Sequence, residues 1–183
     1  MAFLRDFDYE EYLILLYFGR SQDKFALCQR RAYADFQRTL RGIQHLPLAK
    51  DAKVRSGDAL RQMFASIISM KSPTQKQFDD WHKTGCYALK GVYQSHGYDA
   101  FYIGHAQKWI NMTFKYLYVM GETRVPGVSQ LYDLCHVPFD EILISALREY
   151  GFKRLGCAWS RLDDYDVYLD RQCWAFYNSP ISD

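Results

Sequence analysis

From Ala106 to Met120, the residues Ala106, Ile110, Thr113, Leu117 and Met120 return every three or four positions. That spacing lines one face of an α-helix and is incompatible with the two-residue period of a strand. Gly121 stops this helix, and Pro126-Gly127 turns the chain beyond it. The other long segments follow the same period, without convincing strand alternation, internal repeat or low-complexity tail. The expected fold is all-α, a compact single-domain helical bundle over residues 1–183.

Caps and breakers divide the rest of the chain. Asp8 to Phe18 reads as a short apolar helix closed by Gly19, with Leu13, Leu16 and Tyr17 inward. Ser21 is expected to cap a long amphipathic helix to Leu40 that buries Phe25, Cys28, Ala32 and Phe36. Ser56 opens a helix holding Leu60, Phe64, Ile67 and Ile68, which Ser72-Pro73 breaks. Thr74 and Gln77 form a capping-box pattern for a helix through Phe78, Trp81, Cys86, Leu89 and Tyr93. Within it Gly85 and Gly91 each cost about 1 kcal/mol relative to alanine, and mark a kink or a close approach. Pro138 starts a helix with Phe139, Ile142, Leu143, Ala146 and Leu147 inward, and Ser160 to Asp163 is a capping pattern for the last one.

Composition narrows the function classes. With 49% apolar residues the chain is no candidate for disorder. A net charge of +2 creates no whole-molecule field, so any nucleic-acid argument rests on local patches. Such a patch runs from Arg20 to Arg61, where basic residues outnumber acidic ones; it would track phosphates or simply form a solvated helix face. Cys28, Cys86, Cys135, Cys157 and Cys173 are scattered, without metal-ligand spacing. Reduced thiols, no metal centre and no cofactor are expected. Neither a leader-like N-terminus nor an apolar run of about 18 residues is present, so a cytoplasmic protein with no membrane association is expected.

The chemistry-bearing residues gather on the helix that ends at Met120. Lys108, Asn111 and Lys115 share a face, and Gly104 stands one turn ahead of the lysine. Glycine permits close approach, so the amides at this helix start are expected to face an anion such as a DNA phosphate. Helix N-termini and burial both disfavour ammonium ions, which suits a nucleophilic lysine. The loop after Gly121 is long enough to run back along the helix, bringing Asp140 of Val137-Pro138-Phe139-Asp140 toward Lys108.

A lysine in the first turn of a helix after a glycine, followed 32 residues later by an aspartate of a Pro-x-Asp helix start, resembles the helix-hairpin-helix DNA glycosylase superfamily. The separation is most similar to that of the archaeal 8-oxoguanine DNA glycosylase/AP lyase branch. The match covers about a quarter of the chain, and Tyr102-Ile103-Gly104-His105 stands where that family has Leu-Pro-Gly-Val-Gly. The resemblance implies a helix-hairpin-helix-like element, Lys108 as Schiff-base nucleophile and Asp140 as its carboxylate partner. It further implies DNA contacts from Gly104, His105, Gln107, Asn111 and Lys115. Trp159, Trp174 and Asp163 or Asp164 would hold an extruded base. The partner would be DNA carrying a modified base, met by a monomer. A non-catalytic nucleic-acid-binding helical module, or a small-ligand- or partner-binding protein from a mobile element or defence locus, are the other classes open to such a sequence.

Overall fold

The computed structural model describes residues 6–178. Seven α-helices and four short 3-10 turns, with no strand among the described residues, make up the fold. The α-helices are α1 (Asp6–Phe18), α2 (Lys24–Phe36), α3 (Ala49–Ser69), α4 (Gln75–Ser95), α5 (Ile103–Met120), α6 (Glu141–Arg148) and α7 (Tyr165–Asn178). None of them is long and apolar enough to cross a membrane.

Helix α5 is the axis of the bundle. Of its residues only Lys115, Tyr118 and Val119 are exposed, because α2 and α4 flank it and the segments before α6 and α7 close over its start. A helix covered on most sides requires polar residues in the interior to find protein partners. Trp109 is held from the α2 side, where its Nε1–H donates to the Gln29 carbonyl (3.1 Å) and its ring meets Tyr33 and Phe36.

Thr74 and Gln77 form the expected capping box at α4. Other boundaries differ from expectation: at α2, α6 and α7 another side chain takes the orphan amides, while α3 starts without a side-chain cap. Asp23, not Ser21, caps α2 by accepting from Ala26 N–H (2.9 Å). Helix α3 begins at Ala49, leaving Ser56 buried in its interior. Asp140, rather than Pro138, defines the start of α6 by accepting from Leu143 N–H at 2.8 Å. At α7, Asp164 accepts from Asp166 and Val167 in place of the Ser160–Asp163 pattern. The stripes also shift. Ile14 and Phe18 of α1 are buried while Leu13, Leu16 and Tyr17 are exposed, and α6 buries Ile144 and Leu147 while Ile142 points outward.

The two helical glycines of α4 separate by environment. A methyl group on Gly85 would collide with the end of the Met63 side chain, whereas nothing lies within 4 Å of one on Gly91. Gly91 is exposed and has ordinary helical backbone. Gly91→Ala is therefore expected to stabilise the protein by about 0.5–1 kcal/mol, read as a higher urea midpoint with an unchanged slope.

Candidate active site

Lys108 and Asp140 meet. The Lys108 Nζ donates to Asp140 Oδ2 at 2.6 Å, from a lysine side chain 5% exposed to a carboxylate 27% exposed. The other carboxylate oxygen is the α6 cap, so one side chain both starts that helix and receives the lysine. Burial raises the Asp140 carboxyl, but the Leu143 amide and the Lys108 ammonium outweigh it and bring it below the ordinary range. Lys108 has no other acceptor within hydrogen-bond distance among the described residues. The pair reaches solvent on the Asp140 side.

The extended segment that delivers Asp140 is held by two glutamines. Gln107 of α5 grips Phe139 at both peptide groups, donating to its carbonyl (2.9 Å) and accepting from its N–H (3.3 Å). Gln172 of α7 does the same to Val137, at 2.7 and 3.1 Å. A carboxamide offers both a donor and an acceptor, so one glutamine can grip both peptide groups of Val137 and another those of Phe139, while the Asp140 side chain is left to the lysine.

Behind this segment lies a saturated polar network. The two protons of Asn111 Nδ2 are shared among three acceptors, Tyr168 Oη (2.8 Å), Gln107 Oε1 (3.1 Å) and the Val137 carbonyl (3.2 Å), and its own Oδ1 sits 3.0 Å from His82 Nε2. The Tyr168 hydroxyl accepts from Asn111 and Gln172, which fills its lone pairs. Its single proton is thereby directed to His136 Nδ1 (3.0 Å), and His136 Nε2–H donates to Asp79 at 2.9 Å. His82 is fully enclosed, and burial together with the nearby His136 holds it well below the usual imidazole value.

The other expected site residues are placed differently. The Gly104 amide donates to the Leu162 carbonyl (2.7 Å) beneath the Trp159–Arg161 turn, so it holds protein rather than an exposed phosphate. His105 accepts from Tyr102 N–H at 3.1 Å, its Nε2 has no partner among the described residues, and burial depresses it to about 4. Gln107 and Asn111 are consumed in the interior, leaving Lys115 as the exposed member of the expected DNA-contacting set. Trp159 packs half-buried over the start of α5. Asp163 accepts from Lys90 (2.6 Å) and Ile103 N–H (3.3 Å). Trp174 lies edge-on to Phe152, 5.2 Å away. Trp159 and Asp163 thus share the α5 start, while Trp174 belongs to a separate cluster.

His82, His136, Asp79, Tyr168 and Gln172 escaped the sequence reading. The partners that join them across the fold lie 29 to 83 residues away, and only the unusual density of His, Tyr and Gln on otherwise apolar helix faces signals them. No protein-family model, curated protein or solved structure matches the chain.

Proposed function

We propose that the protein is a DNA glycosylase with AP lyase activity, acting through Lys108 on a modified or oxidised base extruded from DNA. The observation that carries this reading is the 2.6 Å contact between a buried lysine and a helix-capping aspartate. In this mechanism Lys108 gives a proton to Asp140, and its nitrogen pair attacks C1′ of the nucleotide. The C1′–N bond breaks, and its electron pair leaves on the base, which takes up a proton. The attached nitrogen, which still carries two protons, gives one up, and its electron pair opens the sugar ring; O4′ leaves C1′ with the bonding pair and takes up that proton, leaving a protonated Schiff base. Loss of a C2′ proton expels the 3′ phosphate. The Asp140 carboxylate stabilises positive charge developing at the sugar and carries protons between these steps. In this reading DNA approaches from the Asp140 side, the protein works as a monomer, and its place is the cytoplasm.

Borohydride reduction with duplex oligonucleotides carrying 8-oxoguanine, other modified bases or an abasic site tests the reading. A covalent adduct is expected with wild type and none with Lys108→Gln. Asp140→Asn is expected to lower the adduct-forming rate about 10²- to 10⁴-fold, the range of a positioned acid–base group. No adduct on any substrate, the abasic site included, would refute the proposal.

A further inference from the structure

A second feature is independent of the lysine chemistry. Between the start of α4, the segment before α6 and the last turns of α7 lies a cavity of about 370 Å³, within the size range of small-ligand sites. Its apolar wall includes Leu134, Val137 and Leu169. Phe176 and Tyr177, both largely exposed and set edge to face 5.2 Å apart, complete the lining at its rim.

The carboxylates of the lining are Asp79 and Asp133, and among the described residues no lysine or arginine lines the cavity. Asp79 Oδ1 is engaged by Gln75 (2.8 Å) and His136 (2.9 Å), while Oδ2 has no partner among the described residues. Lys76 on the neighbouring stretch of α4 is spent on Asp80 at 2.6 Å. Two carboxylates in a concave, partly apolar wall focus a negative potential, and aromatic faces reinforce attraction for a cation.

We propose that this cavity binds a small organic cation, an ammonium carried on a compact apolar body, with Asp79 and Asp133 facing the charge. The same field disfavours carboxylates and phosphates, so the site is not a second nucleotide pocket.

Isothermal titration of the whole chain with phenethylamine, and with phenylacetate as the similarly sized aryl anion, reads this directly. The amine is expected to bind saturably at one site, at least about tenfold more tightly than the acid, and more weakly at high salt. Asp79→Asn retains the oxygen used by Gln75 and His136 and removes the charge. It and Asp133→Asn, on an exposed turn, are each expected to weaken amine binding about three- to tenfold, with circular dichroism confirming the fold. Absence of saturable amine binding, equal binding of the acid, or indifference to both Asn substitutions would overturn the proposal.

Discussion

Asp140→Ala is expected to destabilise the protein by about 4–6 kcal/mol, lowering the melting temperature by about 8–24 °C. Two losses combine. The Lys108 ammonium is left in a site where its side chain is 5% exposed and Asp140 is its only acceptor among the described residues. Stranding one member of a buried pair typically costs about 3–5 kcal/mol, and loss of an N-cap adds about 1 kcal/mol. Lys108→Met is expected to cost less, about 1–2 kcal/mol, because the surviving carboxylate is 27% exposed and still receives the Leu143 amide. Urea unfolding of the two variants checks the order. A greater loss for Lys108→Met would mean that the aspartate, not the lysine, is the group the fold cannot solvate.

The pH dependence separates the same interaction from its surroundings. Asp140 is lowered in the folded protein, so its contribution is complete above the ordinary aspartate value near 4 and is lost as pH falls through the folded value. His105 acts earlier. With a folded value of about 4 against an unfolded value near 6.5, it is a neutral buried group that the unfolded chain protonates first, so stability falls between those two pH values. His82, also lowered, slopes in the same direction from the same starting point. Urea midpoints measured from pH 7 to pH 3 are therefore expected to fall in two stages. Asp140→Asn is expected to make the lower stage shallower, the remainder coming from Asp79, Asp51 and Glu122, which are also lowered, and to leave the upper one in place.

How much of this arrangement the sequence could reveal depends on the range of each signal. The Thr74–Gln77 box and the period of α5 are written within three or four residues, and both appear in the structure as expected. The meeting of Lys108 with Asp140 follows from a helix, a turn and a return segment of sufficient length. The failures have a common origin in competition between similar local groups. Ser21 and Asp23 are both good caps, and tertiary packing selects Asp23 by fixing where α2 begins. On α1, apolar residues surround the helix, so periodicity could not choose Ile14 and Phe18 over Leu13 and Leu16. Gln107 and Asn111 were harder still. A polar residue on a helix reads as exposed or site-lining unless the chain that covers it is known, and here that chain is Val137–Phe139.

Gly104→Ala is expected to cost about 3 kcal/mol and to lower the melting temperature by about 6–12 °C, despite alanine's better helix propensity. A methyl group at this position would lie 1.9 Å from the Trp159 carbonyl oxygen, 3.0 Å from its carbon and 3.2 Å from the Ser160 carbonyl carbon. These are backbone atoms, and the Trp159–Arg161 turn carrying them is fastened by the Gly104 amide itself through Leu162. Relieving the clash moves the turn and breaks that bond together. Gly85→Ala provides the control, because its 1.8 Å conflict is with the end of Met63, a flexible side chain; it is expected to cost under about 1 kcal/mol. Thermal and urea unfolding of the pair decide between two uses of the glycine. If Gly104 serves backbone packing, its variant loses stability and Gly85→Ala does not. If it serves phosphate contact, Gly104→Ala keeps its stability and loses DNA affinity instead. The buried, already bonded Gly104 amide favours the first outcome, and with it a site whose access runs past Asp140 rather than through the start of α5.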